Sequence, residues 1–315
     1  MTSKRNIQIL VFASLALAGA TIAADLPTGS PKQQAELDSL SMPSDVGIGN
    51  GGHVYVVDSG NDQIAVFDAS GTRATSLGNR GSEEGQLLSP LGLGIGGKGE
   101  VYVADKGNNR LVMFDAKGKF RRNIPLKEEG EDVVPVDVAV SPNGKELFVT
   151  TNNSHKVLVF SPKGEFLRSW GGEGEDDGQF RFPATIDIDV AGNVYVVDVL
   201  NARVQKFDSA GTHLLTIGKR GGKPGTFYRP KGVAVDDAGL VYVSDSFLGV
   251  IQVFNASAEF LYVIGDEGIA TVFDTPVGLA ARGSRLHITQ MLAGKVTVLE
   301  PQSPPPPGPA EEAPQ

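Results

Sequence analysis

The chain has 315 residues, a formal net charge of −9, 40 glycines, 19 prolines and no cysteine. That length allows one large core or two small ones, and so much glycine and proline fits a chain of many turns rather than a helical one. The acidic balance argues against a nucleic-acid partner, whose binding rests on cationic patches, and the lack of cysteine excludes disulfides, thiolate metal sites, c-type haem attachment and a lipobox anchor.

Residues 1–24 read as a secretory signal peptide. Lys4 and Arg5 open it, the apolar run IQILVFASLALAGA follows, and TIAAD supplies small residues, with cleavage expected after Ala23 or Ala24. The run is short for a bilayer span and has Gln8 inside it. The expectation is export to the bacterial periplasm or cell exterior, with no membrane insertion after cleavage. Loss of Lys4 and Arg5 would take the charge from −9 to −11. Residues 25–41 are expected to be an N-terminal segment carrying one strand, and 42–300 the folded domain. Residues 301–315, PQSPPPPGPAEEAPQ, read as an extended proline-rich tail.

Between the ends the chain repeats itself. VYVVDSGNDQIAVFD at 54–68 returns as VYVADKGNNRLVMFD at 101–115, VYVVDVLNARVQKFD at 194–208 and VYVSDSFLGVIQVFN at 241–255. The apolar triplet starts at Val54, Val101, Leu147, Val194, Val241 and Leu286, at intervals of 47, 46, 47, 47 and 45. A second marker keeps the same period: Pro43, Pro90, Pro135, Pro183, Pro230 and Pro276. Each unit reads as four strands by its period-2 alternation and β-branched content, with glycine turns such as ASGT and AKGK before the last. Six such units predict an all-β, six-bladed β-propeller of four-stranded antiparallel blades. The sixth unit runs out after VTVLE, so its fourth strand is expected from the N-terminal QQAELDSL.

The PxxVAV, VYVxDxxNxRI, FDxxG and GxxGxxxGxF signatures resemble NHL-repeat propellers, over residues 43–299. The last signature appears as GNRGSEEGQL, GGEGEDDGQF and GKRGGKPGTF. The resemblance specifies the fold and leaves function open. It implies two enzyme comparisons, a peptidyl-amidoglycolate lyase with a histidine-bound zinc and calcium-dependent sugar lactonases. The zinc set does not carry over, because His53, His155, His213 and His287 fall at unlike points of the repeat. No lactonase ligand motif is present.

The repeated Asp58, Asp105, Asp198 and Asp245 read as architecture, each carboxylate accepting N–H bonds in the turn that follows it. Asn61, Asn108 and Asn201 would close the same turn, with Arg110 and Arg203 beside them. Function is sought where the repeats disagree. Asp187 replaces the small residue found at Gly47, Gly94, Ala139, Ala234 and Ala280, while Asp45 and Asp137 stand two positions earlier in their strands. Asp45, Asp137 and Asp187 are therefore expected to line the axial tunnel as an oxygen-rich site for Ca²⁺ or for water. The loops before the prolines differ in sign: KEEGEDVV and GGEGEDDGQFR are acidic, GKRGGKPGTFYRP basic. Lys219, Arg220, Lys223, Tyr228 and Arg229 are expected to grip a protein or peptide partner. The alternative is a metal-assisted lyase or hydrolase with its site at the tunnel mouth.

Overall fold

The structure is a computed structural model and describes residues 26–302. The signal peptide of 1–24 lies outside the described residues, as does the proline-rich tail beyond Gln302. Six four-stranded antiparallel sheets follow one another along the chain. The first consists of Pro43–Ile48, Val54–Asp58, Gln63–Phe67 and Arg73–Leu77, in that spatial order. Each later sheet opens on the proline of its repeat: Pro90–Ile95, Pro135–Val140, Pro183–Ile188, Pro230–Val235 and Pro276–Arg282. These six strands are the inner strands. The sheets are the blades of a propeller.

The outer strand of the sixth blade is Pro31–Leu37, antiparallel to Lys295–Pro301 with Leu37 opposite Val296. A short segment upstream, Thr28–Gly29, runs parallel to Phe260–Asp266 and extends the fifth blade.

Register fixes two faces. In the first blade Pro43 pairs with Asp58 and Ile48 with Val54. The prolines, the loops leading to them and the turns after the Asp column therefore share one face, here called the loop face. The turns between inner and second strands lie on the opposite face. The apolar core consists of layers between adjacent blades rather than one central mass. Val57, Ile64, Leu93 and Val103 fill the layer between blades one and two, and Val197, Val204, Val233 and Val243 that between four and five. Alternation along each strand puts one set of side chains against each neighbour, so every blade is sandwiched.

Candidate functional site

The Asp column is structural: the turn asparagines donate to it as expected, Asn61 to Asp58 at 2.9 Å among them, but the backbone donors differ from those the repeat suggested. Asp58, Asp105, Asp198 and Asp245 are fully buried. The backbone N–H they bind comes mainly from the loop before the inner strand, about a third of a repeat upstream. Asp58 takes Ser41 N at 2.6 Å, Asp105 takes Leu88 N at 2.7 Å and Asp198 takes Arg181 N at 2.7 Å. Asp245 alone among the four also takes N–H groups from its own following turn, those of Phe247 and Leu248 at 3.0 Å. The second oxygen accepts from Asn108 and Arg110 in blade two, and from Asn201 and Arg203 in blade four. The same arginines reach into the glycine loops, Arg110 to the Ser82, Glu83 and Gln86 carbonyls. In blade five, where no arginine occupies that place, Gln252 fixes the loop through Gly225 N and the Thr226 carbonyl.

The axial acids also serve the frame. Asp45 Oδ2 accepts Leu93 N of the next blade at 3.0 Å. Asp137 Oδ2 accepts Ile186 N at 3.0 Å, and Asp187 Oδ2 accepts Val235 N at 2.7 Å. The other oxygens of Asp137 and Asp187 take Val138 N and Ile188 N. Glycines in neighbouring blades make room for two of these carboxyls: a Cβ on Gly92 would lie 2.1 Å from Asp137 Oδ1, and one on Gly278 2.5 Å from Asp45 Oδ1. The Asp45 and Asp137 carboxyls act on one another's titration. Burial pushes Asp45 up to about 7 against the lowering pull of its N–H donors, with the charge of Asp187 adding to the rise. Burial and then the charge of Asp45 raise Asp137 well above the carboxylate range, and burial takes Asp187 to about 6.

The structure thus brings Asp45, Asp137 and Asp187 together at the axis, each with at least one oxygen engaged by a backbone N–H of a neighbouring blade. Among the described residues no three His, Asp or Glu side chains are grouped to hold a metal. The acids floor a cavity of ≈ 400 Å³, walled by Ile95, Val140, Ile188 and Val235, that reaches Pro142, Val190 and Asp237 at the face opposite the loops.

The four histidines stay apart. His155 Nδ1 accepts Phe182 N at 3.1 Å, the place that Asp62 fills toward Ser89 N in blade one. His213 bonds Thr216 on an outer strand, and His53 lies by the Asn50 carbonyl. His287 is buried in a second strand.

On the loop face the five basic and aromatic candidates are all exposed and fall into two groups. Lys219 and Arg220 line a cavity of ≈ 430 Å³ with Arg181, Arg203, Leu200 and Glu175. Glu175 belongs to the acidic loop, so the two loops of opposite sign do share a wall. It is already engaged by Arg181 at 2.7 Å, and Arg203 by Asp198 at 2.9 Å. Arg220 bonds the Leu200 carbonyl. Tyr228 and Arg229 instead sit over Asp245, which accepts both of their N–H groups. The Tyr228 ring lies 5.3 Å from that of Phe247. Lys223 holds the turn between the groups through its carbonyl and Thr226 N. The loss of the turn asparagine in DSFLGVI marks Phe247 as an apolar loop residue in the sequence; its pairing with Tyr228 comes from the structure alone.

Comparisons with known proteins agree with this architecture. Residues 40–67 match the family model of the NHL repeat. A stretch of 79 residues is 37% identical to peptidyl-glycine alpha-amidating monooxygenase B of Xenopus laevis, covering 23% of this chain and 9% of that protein. The chain therefore spans about a tenth of the length of that relative. Among solved structures, virginiamycin B lyase of Staphylococcus aureus, as an inactive variant with quinupristin, has a TM-score of 0.60 at 17% identity over 88% of both chains. A Bacteroides thetaiotaomicron protein of unknown function has a TM-score of 0.65 at 14% identity, over 89% of this chain and 74% of that one. A gluconolactonase candidate has 0.64 at 16%, over 88% and 94%. At such identities these likenesses speak for the fold. With the repeat match and the six sheets, they make the chain a six-bladed β-propeller that carries an NHL repeat.

Proposed function

We propose that the propeller is an exported scaffold that holds an acidic segment of a protein or peptide partner on its loop face. The observation that carries this is the cation-lined cavity on the same face as an exposed, tilted aromatic pair. Lys219, Arg220, Lys223 and Arg229 are exposed and form no ion pair among the described residues. Tyr228 and Phe247 stay 42% and 44% exposed. Free cations next to exposed aromatic rings fit a partner offering carboxylates and an apolar side chain. A metal-assisted lyase or hydrolase at the tunnel mouth has less support, because the histidines stand apart and the axial carboxylates are committed to backbone.

The test uses the chain without residues 1–24 and labelled peptides rich in glutamate and tyrosine. Binding is expected to weaken between 50 and 200 mM salt, as screening shortens the reach of surface charges. Lys219→Glu with Arg220→Glu is expected to lower affinity about 10-fold or more, since opposed rim charges are replaced by like ones, with the melting curve unmoved. Binding that ignores both salt and the charge reversal would refute the proposal.

A further inference from the structure

Large exposed apolar side chains gather on the loop face, and in blade five they lead toward the basic loop. Ile269 is 73% exposed and Val272 57%. Ile269 lies on the short hairpin that follows the outer strand Phe260–Asp266. Phe273 N bonds the Gly249 carbonyl at 2.7 Å, which ties the segment carrying Val272 to the turn carrying Phe247. The Phe247 ring meets that of Tyr228, and Tyr228 belongs to the basic loop with Lys219, Arg220, Lys223 and Arg229. An apolar ledge at the outer edge of the blade thus leads to a group of cations. Clustered exposed apolar surface of this kind marks a place where something docks.

The chain beyond Gln302 starts from the same blade. A Cβ on Gly29 would lie 2.3 Å from the Gln302 carbonyl oxygen and 2.6 Å from the Tyr262 ring. The last described residue therefore rests against the outer strand of blade five. Tyr262 is opposite Val253, and Phe247 lies six residues before Val253. At ~3.3 Å per residue these are at most about 20 Å apart. Residues 303–315 read SPPPPGPAEEAPQ, prolines first and then Glu311 and Glu312. In an extended polyproline conformation, at about 3.1 Å per residue, they would cover about 40 Å. The order of the segment matches the order of the surface: prolines come level with the apolar ledge, and the two acids come level with the cations.

We propose that residues 303–315 fold back onto the loop face of their own chain and compete there with the protein or peptide partner. The prolines lie against Val272, Phe247 and Tyr228, and Glu311 and Glu312 meet the cations of the basic loop. This rests on the loop-face reading above and adds a regulator to it. Aromatic rings take proline-rich segments well, because such a segment is extended beforehand and loses little entropy on docking. The two carboxylates supply a counter-charge to Lys219, Arg220, Lys223 and Arg229. Tethering keeps the segment at an effective concentration of about a millimolar, so a weak contact suffices. The partner can still displace it, at reduced apparent affinity.

The test compares the chain without residues 1–24 with the same chain ended at Gln302. The labelled peptides rich in glutamate and tyrosine are expected to bind the shortened chain about 5-fold more tightly at low salt, the gain from removing a tethered competitor. Synthetic SPPPPGPAEEAPQ is expected to bind the shortened chain and to bind the longer one about 5-fold more weakly. Glu311→Lys with Glu312→Lys in the longer chain is expected to give most of the gain of shortening, with the melting curve unmoved. Equal affinity of both chains for the labelled peptides, with no binding of the synthetic segment, overturns this proposal and leaves the loop-face reading standing. If neither the labelled peptides nor the synthetic segment binds the shortened chain, that reading falls and this proposal with it. A gain on shortening seen only where sedimentation shows dimers puts the segment on a second copy and overturns docking within one chain.

Discussion

Asp105 ends a second strand and Asp137 lies in an inner strand of the next blade, and both are almost completely buried. Asp105 is met by a backbone N–H, an asparagine amide and a guanidinium at 2.8 Å. Asp137 is met by two backbone N–H groups and a second acid. Burial of a charge is tolerable when a counter-charge and hydrogen bonds replace water. The first carboxyl has both; the second has only the bonds, and burial together with the charge of Asp45 pushes its pKa well above the carboxylate range. The difference separates two uses of one residue type. The repeated acid is a fully satisfied joint, and the unrepeated ones carry electrostatic tension at the axis.

The largest effect expected is that of Asp105→Ala. It strands the Leu88 N–H and leaves Arg110, 9% exposed, without its carboxylate. Breaking a buried pair costs about 3–5 kcal/mol, read by denaturant melts. A loss under about 1 kcal/mol would erase the distinction drawn above.

At the axis the comparison is sharpened by pH. Burial pushes folded Asp45 up to about 7 from its ordinary 3.8, so between these values the folded state binds more protons than the unfolded one. Stability from this group is complete below about pH 4 and lost as pH rises through 7, at up to about 1.4 kcal/mol per pH unit. Burial draws His287 down to about 4, so its contribution rises with pH over part of the same window. The measurement is therefore the difference between the native chain and Asp45→Asn. That variant keeps an acceptor for Leu93 N and is expected to gain relative stability from pH 4 to 8; a flat difference would show that the axial acids carry no tension.

Gly92→Ala places a methyl 2.1 Å from Asp137 Oδ1 and 2.7 Å from its Cα. Overpacking of this kind costs about 1–3 kcal/mol, and combining it with Asp137→Gly is expected to recover little of it, because the Asp137 Cα stays 2.7 Å away and the Ile186 N–H loses its acceptor. Asn108→Ala gives up one amide with bonds to Asp105 and the Gly81 carbonyl. It is expected to cost about 1 kcal/mol, less than removing Asp105 because the guanidinium keeps its partner.

The period, the proline-led inner strands and the structural role of the Asp column were legible because each is written several times, and each copy constrains the others. The side-chain donors Asn61, Asn108 and Asn201 were legible by their spacing, but the backbone N–H groups that meet Asp58, Asp105 and Asp198 were not, since they are set by how a loop folds back. Asp45, Asp137 and Asp187 suggested an ion because sequence shows charge but not direction. In the structure one oxygen of each accepts an N–H of a neighbouring blade. Lys219 and Arg220 were found by the sign of their loop, while their distance from Tyr228 depends on a turn that Lys223 shapes.

The strand Pro31–Leu37 and its partner Lys295–Pro301 come from the two extremes of the described chain, and the Glu36–Lys295 pair joins residues 259 apart. Until that contact forms, a growing or refolding chain has two matching open edges, and non-local contacts of this kind form slowly. Two unfinished rings can complete one another as well as themselves. Refolding at high protein concentration is thus a competition between self-closure, independent of concentration, and exchange between chains, which grows with it. Strand-exchanged dimers are the expected product when the second outruns the first.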